Sequence, residues 1–164
     1  MTEPATATSS AEDLGAVHRE VRVAAAPEKA FRVFTERFDA WWPRSHHIGE
    51  GDLAEAFIEP FEGGRWYERT SSGTDCTWGQ VLVWDPPRQV SLSWAIDGEF
   101  KADPNHASRI DVTFTPDGTG TIVKVEHSEF AGHRAAAELR GAVMSDGGWP
   151  ELLELFTTEL DATA

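Results

Sequence analysis

The fold is decided by residues 76–94, which read CTWGQVLVWDPPRQVSLSW. Apolar and polar residues alternate on both sides of Asp85-Pro86-Pro87, a pattern typical of two β-strands joined by a turn. In the first strand, strict alternation places Trp78 and Gln80 on one face and Val81 on the other. A short connection of this kind predicts an antiparallel sheet.

The period of two continues on both sides of this hairpin. It predicts further strands over about 17–23, 54–59, 65–70, 110–114 and 121–127. Between the first two strands, Pro27 opens a helical pattern that Pro43 ends, which predicts two short helices. From about residue 132 the period returns to 3.6, and Gly147-Gly148 interrupts it before a last helix whose apolar stripe includes Leu152 and Phe156.

This order of elements predicts an α+β fold, in which a curved seven-stranded antiparallel sheet surrounds a long C-terminal helix. A sheet with one apolar face needs a cover, and the last helix is the longest one predicted. We expect a single domain over 17–164. Residues 1–16 are rich in Ala, Thr and Ser, which predicts a disordered tail rather than a signal peptide.

The composition excludes several classes of function. The chain has 14 basic and 28 acidic residues, a net charge of −14 and a pI near 4.7, so we expect binding neither to nucleic acid nor to anionic membranes. No apolar run is long enough for membrane insertion. The lone Cys76 allows no internal disulfide, which suits a reducing compartment, and we expect a cytoplasmic protein.

Seven tryptophans concentrate in and around the predicted sheet. Several indoles near one sheet either fill a bulky core or line a cavity that offers aromatic faces to a ligand. Both interpretations stay open at the level of sequence. The residues predicted to bind a ligand are Trp42, Phe57, Trp66, Trp78, Trp94, Phe114, His127 and Trp149.

Among the polar residues, His127 is the one candidate for catalysis. It shares the phase of Val123 and Val125, which points it toward the core or the cavity, and an imidazole there is either structural or an acid–base group. Adjacent His46 and His47 fit one metal ion poorly, so we expect no metal site. Gly63-Gly64 and Gly147-Gly148 lack the context of a phosphate-binding loop, and we expect no cofactor. Carboxylates such as Glu68 are interpreted as members of ion pairs on the outer face of the sheet.

An ordered set of short motifs resembles the SRPBCC superfamily, which includes START proteins and Bet-v allergens. Within it, the chain is similar to the branch named after the activator of heat-shock-protein-ninety ATPase. The resemblance covers about residues 17–162. It is carried by PEKAF (27–31), WWP (41–43), PFEGGRW (60–66), GQVLVWDPP (79–87), VSLSW (90–94), VTFTP (112–116), Gly120-Thr121 leading to His127, and GWP (148–150).

The resemblance implies a helix-grip fold with a deep apolar cavity between the sheet and the last helix. It implies binding of a small hydrophobic molecule, and some members of the superfamily catalyse cyclisation or aromatisation. One alternative is therefore such an enzyme, with His127 as acid–base and Tyr67 or an arginine as helper. The other is an interaction protein that stimulates a chaperone ATPase. We expect no chaperone partner, because the co-chaperone carries an additional N-terminal domain that this chain does not match. An exposed sheet edge would permit a homodimer.

Overall fold

The computed structural model describes residues 15–103 and 105–163. Of the tail predicted over 1–16, residues 1–14 lie outside the described residues. Residues 15 and 16 lead without regular structure into the first strand.

Seven strands and four helices follow one another in the predicted order. They are β1 (Val17–Val23), α1 (Pro27–Glu36), α2 (Phe38–Trp41), β2 (Leu53–Ile58), β3 (Arg65–Thr70), β4 (Asp75–Asp85), β5 (Gln89–Trp94), β6 (Ser108–Asp117), β7 (Gly120–Ser128), α3 (Ala136–Met144) and α4 (Trp149–Ala162). The break at Gly147-Gly148 separates α3 from α4. The longest helix, α4, has 14 residues, and within the described ranges no helix is long and apolar enough to cross a bilayer.

All seven strands form one antiparallel sheet in the order β1-β7-β6-β5-β4-β3-β2. From β2 to β7, each strand pairs with the strand that follows it in the chain. The first strand, β1, forms the edge of the sheet beside β7, where Val17 pairs with His127. The sheet curls into a half-barrel, and the C-terminal helix lies along its inner side. The predicted α+β helix-grip fold is confirmed.

Aromatic side chains fill the inner side of the sheet near α1. The helix begins at Pro27, whose missing N–H is tolerated in a first turn, and its buried stripe includes Phe31 and Phe34. The ring of Phe31 lies 5.2 Å from that of Phe114 in β6, and the ring of Phe34 lies 5.3 Å from that of Phe156 in α4. These edge-to-face contacts join sheet, α1 and α4 in one core.

Two irregularities in β4 change the faces that strict alternation predicts. Trp78 is an extra residue between the paired Thr77 and Gly79, and Leu82 is an extra residue opposite β5. Each such bulge shifts the alternation by one position. The prediction that Gln80 shares the inner face with Trp78 was therefore wrong, because Gln80 is exposed and Val81 is buried.

Candidate functional site

A cavity of about 510 Å³ lies between the inner face of the sheet and the two C-terminal helices. Its wall comes from four parts of the chain: the segment after α2, the strands β4, β5 and β7, the loop after β5, and α3 with α4. The lining residues are Trp42, Ser45, His46, His47, Ile48, Trp78, Trp94, Ile96, Phe100, His127, Leu139, Ala142, Val143, Ser145, Gly147, Gly148, Trp149 and Leu152.

Four indoles belong to this wall: Trp42, Trp78, Trp94 and Trp149. The ring centroids of Trp42 and Trp78 are 5.2 Å apart, and those of Trp78 and Trp94 are 6.0 Å apart. The bulge in β4 is what turns Trp78 inward beside Gly79. A Cβ on Gly79 would lie 1.8 Å from the carbonyl oxygen of Ser93, so β5 can approach only a glycine at this position.

Three of the residues predicted to bind a ligand lie outside the cavity wall. Trp66 is fully buried behind it, with its ring 5.3 Å from Trp78 and 5.2 Å from Trp94. Phe114 is buried against α1. Phe57 alternates with the buried Ala56 and Ile58, so it lies on the outer face against Tyr67.

Tyr67, the proposed catalytic helper, belongs to the outer face as well. The guanidinium carbon of Arg65 lies 4.0 Å from the centre of its ring, a cation–π contact. On this face Tyr67 cannot assist a reaction in the cavity, and that part of the enzyme hypothesis was wrong. The physical reason is the pleat of β3, which turns Trp66 inward and its neighbour outward.

His127 lies in the cavity wall, where both of its ring nitrogens are hydrogen-bonded to protein. The indole N–H of Trp149 can only donate, and it donates to Nδ1 over 3.2 Å. The neutral imidazole therefore carries its proton on Nε2, which donates to Oγ of Ser108 over 2.9 Å. The Ser108 hydroxyl then donates to the carbonyl oxygen of Trp94 over 3.3 Å.

This arrangement keeps His127 uncharged. Burial, with a smaller contribution from nearby His133, lowers the pKa of His127 from 6.5 to about 3. The imidazole is neutral at pH 7, and neither nitrogen is free to exchange a proton with a ligand. Ser108 is likewise not activated as a nucleophile, because the histidine donates to its oxygen instead of accepting from it.

Behind His127 lies a second polar group that the sequence did not predict. The backbone N–H of Ser108 donates to Nε2 of His133 over 3.0 Å, and Nδ1 of His133 lies 2.8 Å from Oδ2 of Asp103. His133 and Ser108 are both buried. Residues of β6, of the loop before it and of the loop before α3 therefore hold the cavity wall in place from behind.

Glu68 was placed wrongly by the sequence interpretation, because it is fully buried on the inner face of β3. Its carboxylate accepts hydrogen bonds from the indole N–H of Trp78 over 2.7 Å and from the backbone N–H groups of Ile48 (2.7 Å) and Gly49 (3.1 Å). The period of two could have shown this, since Glu68 shares the phase of Trp66. Glu68 thus orients one indole of the wall and ties down the loop beside it.

Polar groups gather at one end of the cavity. Ser45, His46, His47 and Ser145 line it there, and none of the four is fully buried. Nε2 of His46 donates to the carbonyl oxygen of Gly147 over 3.1 Å, and Nδ1 accepts from Ser45. This bond joins the segment after α2 to the connection between α3 and α4. Across residues 15–103 and 105–163, no three His, Cys, Asp or Glu side chains come together as a metal site.

Two buried indole N–H groups, those of Trp66 and Trp94, have no hydrogen-bond partner in the described part of the chain. An unpaired buried donor costs about 1–3 kcal/mol.

The family model described as "Activator of Hsp90 ATPase homolog 1-like protein" matches residues 24–161. No curated protein matches the chain. Among solved structures, the chain is similar to an anthrahydroquino-gamma-pyrone synthase, Txn09, in a complex with SUM, at 39% identity and a TM-score of 0.63 over 90% of this chain and 97% of that one.

Two further structures share the fold over nearly the whole chain. One is CalC, a self-sacrificing resistance protein from Micromonospora echinospora, at 31% identity and a TM-score of 0.69 over 92% of this chain and 96% of that one. The other is protein MLL2253 from Mesorhizobium loti, at 25% identity and a TM-score of 0.66 over 91% and 98%. With its fold, its cavity and a match over residues 24–161, the chain belongs to the family of activator of Hsp90 ATPase homolog 1-like proteins, within the SRPBCC superfamily.

Proposed function

We propose that this protein binds a small, uncharged, hydrophobic molecule in the cavity between the sheet and helices α3 and α4. The observation that carries the proposal is the chemistry of the wall. Four indoles and several aliphatic side chains line it, and none of the described lining residues is Asp, Glu, Lys or Arg. In a chain with 42 such residues, this separation of charge from the cavity favours a ligand without charge on its buried part.

The volume supports a ligand of ordinary small-molecule size. A cavity of about 510 Å³ lies within the range of about 300–1,000 Å³ that is typical of ligand sites. Indole faces suit flat, conjugated molecules, since stacked and edge-to-face contacts add to the apolar burial. The polar end, with Ser45, His46, His47 and Ser145, would meet a hydroxyl or carbonyl group that stays near water.

Fluorescence tests the proposal directly. We expect Nile red, an uncharged polycyclic dye, to quench the tryptophan emission saturably, because four indoles line the cavity. A142F fills the cavity from α3 and should abolish the saturable signal. A137F adds the same ring to an exposed position of the same helix and should leave it unchanged. Absence of saturable quenching by Nile red in the unmodified protein would refute the proposal.

A catalytic role on a molecule of the same kind is the second candidate. The observation that favours it is the 39% identity to a protein named as a synthase. The hydrogen bonds of His127 argue against this residue as acid or base, and those of His46 occupy both of its ring nitrogens as well. His47, whose Nδ1 bonds to the carbonyl oxygen of Gly49, is therefore the lining residue that such a reaction could use as acid or base. The test is product formation from hydroxylated polycyclic ketones by the unmodified protein, compared with H46N and H47N.

A further inference from the structure

Phe100 combines two unusual properties. Its side chain is 56% exposed, and its backbone φ is +61°, in the left-handed region that residues with a Cβ rarely adopt. Among the described residues only Phe61 and Met144 are large hydrophobic side chains of comparable exposure. Phe100 therefore occupies an unfavourable backbone conformation without gaining the burial that normally stabilises a phenyl ring.

The turn around Phe100 is held by a buried carboxylate. Oδ1 of Asp97 accepts the backbone N–H groups of Glu99 (2.8 Å) and Lys101 (3.1 Å), and the carbonyl oxygen of Asp97 accepts that of Phe100 over 3.0 Å. The other carboxylate oxygen is 3.3 Å from Nη1 of Arg134, an ion pair without hydrogen-bond geometry. These contacts on both sides of residue 100 leave it little choice of conformation.

The turn is also docked onto the rest of the molecule. The backbone N–H of Gly98 donates to the carbonyl oxygen of Arg134 over 2.9 Å, and Ile96 pairs with Ala102 at the base of the turn. A Cβ on Gly98 would lie 1.9 Å from the carbonyl oxygen of Ala135, so the approach is close. These contacts hold the backbone of the turn, and with it Phe100, in a fixed position.

The position of Phe100 in the cavity lining suggests a function for its ring. Phe100 is one of the residues that line the cavity, whereas the similarly exposed Phe61 is not. In the free protein the ring contributes little, because more than half of it faces water. With a hydrophobic molecule in the cavity, the same ring would lose that exposed surface against the ligand.

We propose that Phe100 retains the ligand, with its phenyl ring covering the outer end of the bound molecule and the turn 97–102 holding it there. The inference rests on the proposed function and adds the residue that controls ligand release. An exposed phenyl could instead serve a protein partner. The cavity favours the ligand, because Phe100 belongs to the lining of the cavity.

The experiment measures how fast Nile red leaves the protein after rapid mixing with excess lipid vesicles. We expect F100A to release the dye about tenfold faster, the effect of losing part of an aromatic contact. F61A removes a phenyl of similar exposure outside the cavity and should release the dye at the unmodified rate. Equal release rates for F100A and the unmodified protein would overturn the inference, while intact dye binding would leave the proposed function standing.

Thermal unfolding separates a functional ring from a structural one. Glycine adopts positive φ without strain, so we expect F100G to unfold at a temperature about 2–4 °C above F100A while releasing the dye equally fast. If F100A and F100G both unfold well below the unmodified protein, the ring serves the fold and the inference fails. If the unmodified protein binds no Nile red, the proposed function fails, and this inference with it.

Discussion

Packing around His127 changes the ordinary acid–base behaviour of its imidazole. Histidine has a pKa near 6.5 in water, and here burial between Trp149 and Ser108 is the main cause that keeps His127 neutral well below that pH. The hydrogen bonds that satisfy its nitrogens also remove it from acid–base chemistry. The wall of the cavity is therefore polar at this residue without offering charge.

This burial predicts a pH dependence of stability. His127 has a pKa of about 3 in the folded protein and an ordinary one when unfolded, so between these values the unfolded chain binds the additional proton. Stability should therefore fall as the pH falls below about 6.5, by up to about 1.4 kcal/mol per pH unit from this residue. Chemical denaturation between pH 6.5 and 5 should show this slope, and H127N should lack the His127 part of it.

An exposed histidine supplies the control for this measurement. His18 lies on the solvent side of β1, with just over half of its side chain exposed. H18N removes an imidazole from the solvent face, and the slope of stability against pH should change less in H18N than in H127N. Equal slopes for H127N and the unmodified protein would mean that His127 does not stay neutral in the fold.

At the scale of elements, one carboxylate connects a strand to a segment without regular structure. The segment 43–52 has neither helix nor strand, yet four of its residues, 45–48, line the cavity. Glu68 in β3 accepts hydrogen bonds from this segment and from Trp78 at the same time. The position of this polar end of the cavity thus depends on β3.

Replacing this carboxylate tests the connection. E68Q keeps the size of the side chain but turns an N–H₂ group toward one of three donors, and we expect a loss of about 2–3 kcal/mol in the free energy of unfolding. E55Q makes the same change of charge at an exposed position of β2 and should stay within about 0.5 kcal/mol. Urea denaturation of both variants measures these changes. An E68Q protein as stable as E55Q would show that the buried carboxylate makes no net contribution to the free energy of unfolding.

At the scale of the whole molecule, apolar surface is concentrated inside. Of the large hydrophobic side chains in the described ranges, three are more than a third exposed: Phe61, Phe100 and Met144. Stable protein interfaces usually bury a continuous patch with aromatic anchors. The edge strands of the sheet are β1 and β2, and an edge strand can pair with another chain.

The exposed surface allows a prediction about binding to Hsp90, the chaperone that the family description names. We expect no complex with the host Hsp90, because three exposed large hydrophobic residues among the described ones give a partner little to bury, and the net charge of −14 adds no specific attraction. A pull-down with the tagged protein checks this, with a known Hsp90 co-chaperone as positive control. A stoichiometric, salt-resistant complex would contradict the expectation.

Much of the fold could be predicted from local pattern, and the site only in part. The period of two placed Arg65–Thr70 correctly, and Pro27 marked the start of α1. The same rule failed in β4, because a bulge leaves no mark in the alternation until a partner strand shows the mismatch. Glu68 was missed for another reason: a carboxylate is expected in water unless its donors are known, and these come from residues 10–20 positions away.

By itself, the sequence determined the order of the elements, the antiparallel sheet and the inward phase of His127, because each follows from periodicity and turn chemistry within a few residues. Only the tertiary structure decided which indoles line a cavity and which fill the core. Trp66 and Trp78 look alike in sequence, but one lies behind the wall and the other in it. That difference arises where a bulge, a buried carboxylate and a distant helix meet. Contacts between distant parts of the chain cannot be predicted from the local sequence pattern.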